Sequence, residues 1–189
     1  MRVISGKHKG RKIETVSSKN LRPTTGMARE ALFNILSHGK FNNDGSQFLQ
    51  GCYVLDLFCG CGALSIEALS RGAKHAVLID IDQSHLAIAR KNISSLGEEE
   101  NASFIRGDSA TPPPARIPCN LIFLDPPYGK GFVDKSLKSL IAGEWLADDA
   151  IIVVETAKTE DLTIPDNFTE LDDRKYGNSR IRIMQWHKN

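Results

Sequence analysis

The sequence predicts an α/β protein with a mostly parallel sheet of seven strands, helices on both faces and an antiparallel hairpin at the C-terminal end. Two observations predict this fold. From residue 52 onward, short apolar runs of strand type alternate with helix-length segments, a pattern typical of parallel strands joined by helical crossovers. The last two strand-like runs are separated only by Gly177-Asn178, which indicates a tight hairpin turn.

Each element follows from its local pattern. The predicted strands are 52–57, 76–79, 102–105, 120–124, 150–154, 168–176 and 181–186. The predicted helices in this part of the chain are 63–71, 84–96 and 133–141. Between the third and fourth strands, the prolines of 111–118 exclude a helix and predict a loop.

The first 50 residues have a different character. Residues 1–25 are predicted to form an extended arm with turns at Gly6 and Gly10, and apolar residues at helical spacing predict a helix over 26–38. Residues 39–51 read as a polar linker bounded by glycines. We therefore divide the chain into an N-terminal extension, 1–50, and an α/β domain, 51–189.

Charge is concentrated in that extension. Residues 1–29 contain eight of the 24 Lys and Arg residues but one acid, Glu14, so the remaining 160 residues carry 16 bases and 22 acids. A basic arm on a mildly acidic body is typical of a protein with an anionic partner. The candidate contacts to nucleic-acid phosphates are Arg2, Lys7, Lys9, Arg11, Lys12 and Arg22.

Composition narrows the protein class further. No apolar stretch approaches the roughly 18 residues of a membrane span, and the N-terminus lacks the apolar core of a secretory signal, so we expect a cytoplasmic protein with no membrane association. The four cysteines are then expected to be reduced. Cys59 and Cys61 have no zinc-type spacing and no matching second pair, so no metal site is predicted.

Three successive strands end in acids or glycines. The first runs through Asp56 into a loop with Gly60 and Gly62, the second ends at Asp80, and Asp108 follows the third. Because parallel strands share their carboxyl edge, these groups are expected to lie together, where glycines let the backbone approach a ligand and acids accept hydrogen bonds from ribose hydroxyls or an amino group.

The ligand of this loop is predicted from charge. A pyrophosphate binds helix N-terminal N–H groups without a neighbouring carboxylate. Asp56 stands at the loop entrance instead, and the loop lacks the third glycine of the dinucleotide fingerprint. The acids suit S-adenosylmethionine, which has an ammonium, a sulfonium, a ribose and an adenine but no phosphate.

The fourth strand ends in an unusual turn, Asp125-Pro126-Pro127-Tyr128. The two prolines fix the backbone and stop the strand, which leaves a carboxylate, the Pro126 carbonyl and an aromatic ring at the edge of the sheet. Such a set suits a flat base that bears an amino group, because the oxygens accept its N–H bonds and the ring stacks on its face. We predict that all four residues form the catalytic site.

Further motifs carry a family resemblance. They are Arg2-Val3-Ile4-Ser5-Gly6, Gly10-Arg11, Arg22-Pro23-Thr24, Arg29-Glu30-Ala31-Leu32-Phe33-Asn34, Asp56-Leu57-Phe58, Gly60, Gly62-Ala63-Leu64, Glu67-Ala68-Leu69-Ser70-Arg71-Gly72-Ala73 and Asp125-Pro126-Pro127-Tyr128. Together they resemble the RsmD family of bacterial 16S rRNA (guanine-N2)-methyltransferases, within the Rossmann-like class I enzymes that use S-adenosylmethionine. The Asp-Pro-Pro-Tyr turn is shared with DNA and protein amino-methyltransferases, so the N-terminal motifs are what narrow the family.

The resemblance implies an enzyme that methylates the N2 amine of a guanine in small-subunit rRNA, free or within an assembling particle, without a metal. The residues it implies for the cofactor are Asp56, Phe58, Gly60, Gly62, Asp80, Ile81, Asp108, Ser109, Thr25 and Arg29. Cys59 and Cys61 replace the family's usual small residues, and Asp80 replaces its more usual Glu. Two roles stay open for Arg29 and Glu30: contact with the cofactor, or an ion pair with neighbours on the protein surface.

Three alternatives stay open at this point. A DNA adenine-N6 or cytosine-N4 methyltransferase would share the Asp125–Tyr128 turn, although about 50 N-terminal residues are few for a target-recognition region. A non-catalytic RNA-binding protein could retain the fold, but the intact turn argues against it. A nicotinamide dehydrogenase is disfavoured by Asp56 and the missing glycine.

Overall fold

In a computed structural model, which describes residues 1–16, 26–38, 41 and 47–188, a seven-stranded sheet organises the chain. The strand order is β3-β2-β1-β4-β5-β7-β6, in which β1 to β5 are parallel and β7 is antiparallel to both of its neighbours. The predicted fold class, including the C-terminal hairpin, is confirmed.

The element bounds lie close to those predicted. The strands are β1 (Tyr53–Leu57), β2 (His75–Asp80), β3 (Ala102–Arg106), β4 (Cys119–Leu124), β5 (Leu146–Ala157), β6 (Phe168–Tyr176) and β7 (Ser179–Trp186). The helices are α1 (Gly26–His38), α2 (Ala63–Ser70), α3 (Gln83–Ser95) and α4 (Phe132–Ala142), with a 3-10 turn at Glu99–Asn101.

Two predictions about local structure need correction. The strand predicted over 150–154 is much longer, because β5 starts at Leu146 and passes through an irregularity before it pairs regularly from Ile151. The polar linker predicted over 39–51 is wrong at its C-terminal end, since Phe48 and Leu49 are buried in the core. Most of the preceding linker lies outside the described residues.

Helices cover both faces of the sheet and create two hydrophobic layers. On one face α1, α2 and α3 pack against residues such as Val54, Leu78 and Phe123. On the other face α4 packs against residues such as Leu55 and Ile122. Because β1 and β4 are buried on both sides, their sequences are continuous apolar runs rather than alternating ones.

The N-terminal arm folds back on itself and joins the first layer. A bridge links Arg2 to Lys12, and Val3 and Ile13 are buried in the same core as α1 and the sheet. The predicted turns at Gly6 and Gly10 are confirmed by their positive φ angles. At Gly6 a Cβ atom would lie 1.9 Å from the Ser70 carbonyl oxygen, so only glycine lets the arm approach α2.

Among the residues that the structure describes, no helix is long and apolar enough to cross a membrane.

Candidate active site

The predicted residues that follow β1 to β4 lie at the carboxyl edge of the parallel strands. The loops that follow β1, β2 and β3 stand side by side, and the Asp125–Tyr128 turn follows β4 on the other side of β1. The chain reverses its direction of winding between β1 and β4, and ligands of open α/β sheets bind in the crevice at such a switch point. The sheet therefore brings both halves of the candidate site to one crevice.

Asp56 of β1 links this strand to the start of α2, on the far side of the glycine loop. Its carboxylate is 2% exposed and accepts hydrogen bonds from the Ser65 hydroxyl at 2.6 Å and from the Ser65 backbone N–H at 3.2 Å. Burial raises the pKa of Asp56 to about 7, which its bonds to Ser65 only partly oppose. These contacts position the first turn of α2; direct contact with a cofactor stays a prediction.

Asp80 fastens the glycine loop to the end of β2. One carboxylate oxygen accepts the Gly60 N–H at 2.9 Å and faces His85 Nδ1 at 3.3 Å, while the other accepts the Asp82 N–H at 2.9 Å. The next side chain, Ile81, is apolar yet 68% exposed. An acid beside an exposed apolar side chain is a suitable environment for a ribose and the face of a purine ring.

The third strand contributes Ser109 and Asp108. The buried Ser109 hydroxyl donates to the Ile79 carbonyl at 3.0 Å and accepts the Phe58 N–H at 3.1 Å, so it ties together the loops that follow three strands. Asp108 accepts the Ala110 N–H at 2.9 Å and lies 3.2 Å from the Lys135 ammonium of α4. The Ala110 hydrogen bond, with help from Lys135, lowers the pKa of Asp108, so this acid is charged at neutral pH.

The glycine loop contains an uncommon backbone conformation. Phe58 has a φ of 60°, which is rare for a bulky side chain, and its ring lies 5.6 Å from that of Phe132 at the start of α4. Gly60 and Gly62 also have positive φ. A Cβ at Gly62 would come within 3.0 Å of Leu78, whereas the space beside Gly60 is open. The loop is therefore tightly packed at Gly62, and its backbone is accessible at Gly60.

The turn after β4 follows the strand directly, and its Tyr128 is anchored in a way that was not predicted. Asp125 is half-buried, Pro126 is buried, and Pro127 and Tyr128 are exposed. The Tyr128 hydroxyl donates to Glu155 at 3.0 Å and is 2.9 Å from the Ser179 hydroxyl. Burial is the main cause of its raised pKa, so the phenol stays protonated and holds the ring in place.

Most of the predicted N-terminal residues make contacts that stabilise the folded arm. Arg29 is buried, and its guanidinium contacts Met1 Sδ and donates to the Arg2 carbonyl at 2.9 Å. Arg2 donates to the Gly10 carbonyl, and Arg11 to that of Ser95. These contacts fix the arm, and a cofactor role for Arg29 remains a prediction.

The other predicted arm residues differ in their surroundings. Lys7 pairs with Glu98 at 2.7 Å but is half exposed, and Lys9 and Lys12 are also exposed. Thr25 and Arg22 lie outside the described residues. The exposed lysines are therefore the simplest candidates for phosphate contacts among the described arm residues.

Two buried acids hold this arm. Glu67 of α2 accepts the backbone N–H groups of Ile4 at 2.8 Å and of Ser5 at 3.0 Å, and Glu98 pairs with Lys7 and His8. Sequence reasoning missed both. Glu67 is the one charged residue of α2, Ala63–Ser70, and an acid in a buried helix is a signal of a buried partner.

All four cysteines are free and buried. Burial raises the pKa of Cys59 and of Cys61, so neither thiol is an activated nucleophile near neutral pH. Within the described part of the chain, no group of three or more His, Cys, Asp or Glu side chains is arranged to hold a metal ion.

Comparison with known proteins identifies the family. Residues 1–185 match the family model described as conserved hypothetical protein 95. Over 98% of its length the chain is 34% identical to ribosomal RNA small subunit methyltransferase D of Escherichia coli K12, of which 89% is covered. The chain belongs to the RsmD family. The corresponding protein of Haemophilus influenzae is 32% identical over 98% of this chain and 93% of its own.

Solved structures of methyltransferases have a similar fold. A candidate methyltransferase from Escherichia coli superposes with a TM-score of 0.84 and 32% identity, covering 99% of this chain and 98% of that one. An RNA methyltransferase from Salinibacter ruber, solved with S-adenosyl-L-homocysteine, has a TM-score of 0.62 at 19% identity, covering 89% of this chain and 95% of that one. The second likeness supports the fold alone.

Proposed function

We propose that this RsmD-family protein transfers a methyl group from S-adenosylmethionine to the N2 amine of a guanine in small-subunit rRNA. The observation that carries the proposal is the crevice at the switch point. The loops after β1, β2 and β3 lie on one side of it, and the Asp125–Tyr128 turn after β4 lies on the other. Family membership supports the rRNA substrate, because the relatives from Escherichia coli and Haemophilus influenzae are named as small-subunit methyltransferases.

The chemistry of the crevice fits the cofactor. Asp80 and Asp108 supply carboxylate acceptors, Ile81 supplies an exposed apolar face, and open space beside Gly60 leaves backbone accessible. The Lys135 ammonium lies beside Asp108, and the His85 ring lies beside Asp80. In our proposal Asp80 accepts the ribose hydroxyls, Asp108 the adenine amine, and Ile81 packs on the purine.

The reacting amine is prepared by the turn after β4. When bound, S-adenosylmethionine supplies an electrophilic methyl group. The lone pair of a guanine N2 amine is delocalised into the ring, which makes it a poor nucleophile. The Asp125 carboxylate and the Pro126 carbonyl accept its two N–H bonds, draw the nitrogen toward tetrahedral geometry and aim its lone pair at the cofactor side. Asp125 or water then takes the proton that the methylated nitrogen releases.

Tyr128 would hold the base in position. The residue is 41% exposed while its hydroxyl is fixed by two hydrogen bonds, so the ring offers a stationary stacking surface. Stacking of this kind contributes about 1–3 kcal/mol per base. The proposed activity implies a cytoplasmic location, where rRNA is modified.

A single assay tests the proposal. The protein is incubated with methyl-labelled S-adenosylmethionine and, separately, with protein-free 16S rRNA, partly assembled small subunits and DNA. We expect label in one of the two rRNA substrates and N2-methylguanosine in its nuclease digest, with little product from the Asp125→Asn control. Label in adenine or cytosine of DNA, or no transfer to either rRNA substrate, would overturn it.

A further inference from the structure

The opposite edge of the sheet contains a cleft far from the candidate active site. Its volume is about 510 Å³, and it lies between the arm, the C-terminal ends of α1 and α2, and the turn before β1. We call it the amino-edge cleft. Because β4 has six residues, this edge is roughly 20 Å from the Asp125–Tyr128 turn.

The lining of the amino-edge cleft is suited to a nucleotide. Lys7 and Arg71 bring cationic groups, and Gln47 and Gln50 bring amides at an exposed rim. Amide side chains can pair with base edges and cations contact phosphates. Its volume lies within the range of small-molecule sites, which is about 300–1,000 Å³.

The cations of the cleft are held in place by buried acids. Lys7 is half exposed and pairs with Glu98, whose side chain is 5% exposed. Arg71 donates to Glu67 at 2.9 Å and lies over the ring of Phe33. The Lys7 side chain is held by its pair with Glu98 and is still half exposed, so it loses less freedom when it contacts a phosphate.

The arm makes the cleft rigid. The backbone N–H of Lys7 donates to the Ser70 carbonyl at 2.8 Å, that of His8 donates to the Ser70 hydroxyl at 3.0 Å, and this hydroxyl donates to the Ser5 carbonyl at 2.6 Å. Gly6 packs directly on Ser70. The basic arm is therefore a fixed wall of the amino-edge cleft.

From these observations we infer that the amino-edge cleft binds a nucleotide of the substrate RNA at a distance from the methylated guanine. The inference rests on the proposed function. Lys9 and Lys12 of the arm are exposed, and in this proposal they contact neighbouring phosphates of the same RNA.

A pair of charge-matched variants tests this inference with the full-length protein. Lys7→Gln with Gln47→Glu changes two cleft residues; Lys138→Gln with Ala142→Glu makes the same change of charge on the exposed side of α4. The readouts are kcat, KM and the salt dependence of KM on the rRNA substrate that the wild type methylates. Cofactor affinity is measured by calorimetry.

For the cleft variant we expect KM to rise about ten-fold, the slope of log KM against log salt to fall by about 1, and kcat and cofactor affinity to stay within two-fold. The α4 variant should match the wild type. A cleft variant within two-fold of the α4 variant in KM would overturn the inference. So would a loss confined to kcat or cofactor affinity, because this would indicate an indirect effect on the reaction site.

Two further measurements distinguish an RNA path through the cleft from a site for a free nucleotide. A photo-crosslinker at Gln47 should attach to rRNA nucleotides that are not adjacent to the methylated guanine; attachment beside the guanine, or none, would contradict the proposed path. Calorimetry with GMP tests a free nucleotide, and saturable GMP binding with an unchanged KM for rRNA in the cleft variant would also overturn the inference. If the wild type methylates no rRNA substrate, the proposed function is wrong. The cleft is then tested by comparing the rRNA affinities of the wild type, the cleft variant and the α4 variant in a filter-binding assay.

Discussion

The hydroxyl of Tyr128 donates to the carboxylate of Glu155 at 3.0 Å and thereby joins the turn after β4 to the neighbouring strand β5. Glu155 is buried, and Ser179 at the start of β7 adds a second contact to the same hydroxyl. The orientation of the Tyr128 ring is thus set by two other strands. This arrangement makes the ring a fixed surface and allows its two roles to be separated by mutation.

For Tyr128 we expect a graded loss of activity. Tyr128→Phe keeps the ring and removes its anchor, so kcat/KM should fall about 2- to 10-fold, as for the loss of one hydrogen bond. Tyr128→Ala also removes stacking and should cost about 10- to 100-fold. Steady-state methylation of rRNA measures both, and equal losses in the two variants would show that the ring does not stack on the base.

Replacing Asp125 should separate binding from chemistry. Asp125→Asn keeps the shape of the side chain but loses the charged acceptor, so we expect cofactor affinity within a few-fold and kcat reduced about 10³-fold. Calorimetry with S-adenosylhomocysteine and single-turnover transfer measure the two quantities. Turnover near the wild-type rate would exclude Asp125 from the reaction.

Neighbouring acids provide a matched test of the cofactor site. Asp80 is buried against the glycine loop, whereas Asp82 mainly caps α3 by accepting the Ser84 N–H at 2.7 Å. Asp80→Ala should weaken S-adenosylhomocysteine binding about ten-fold or more, because it loses ribose acceptors and frees the Gly60 N–H. Asp82→Ala should leave the dissociation constant within about two-fold while costing about 1 kcal/mol of stability. Similar dissociation constants for both variants would contradict the assignment.

Asp56 should make stability depend on pH. Burial raises its pKa to about 7, above an unfolded value near 4, so its contribution to stability is complete below pH 4 and is lost as pH rises toward 7. The free energy of unfolding should therefore decrease over this range relative to Asp56→Asn, by up to about 4 kcal/mol at 1.36 kcal/mol per pKa unit. Urea denaturation from pH 4 to 8 measures the difference, with the exposed Asp166→Asn as the control; parallel curves for the wild type and Asp56→Asn would refute it.

Glu67 should control the order of the arm. Glu67→Gln removes a buried charge that accepts two arm N–H groups and pairs with Arg71, so we expect a loss of about 2–4 kcal/mol in stability. Hydrogen exchange of residues 3–13 should accelerate, while the exposed Glu100→Gln should leave exchange unchanged. Unchanged protection of the arm in Glu67→Gln would contradict this role. Deleting the arm is a poorer test, because Val3 and Ile13 belong to the core.

The sequence was sufficient for the order and type of the elements. Strands β1 and β4 are buried on both faces and therefore appear as unbroken apolar runs, and Gly177-Asn178 marks the hairpin directly. The grouping of Asp80, Asp108 and Asp125 was also predictable, since parallel strands end at one edge. The length of β5 was not, because Asp148 and Asp149 interrupt its apolar pattern before Ile151.

What the sequence by itself determined is the chemistry at the ends of the strands: glycines, acids and the Asp125–Tyr128 turn are local in the chain. Only the tertiary structure decided which of these groups face one another and which make contacts that stabilise the fold. It assigned the Arg29 guanidinium to the arm and fixed Tyr128 through Glu155. The reason is physical: a buried charge or hydroxyl must find its partner wherever packing places one, and these partners lie 27 residues away in each case.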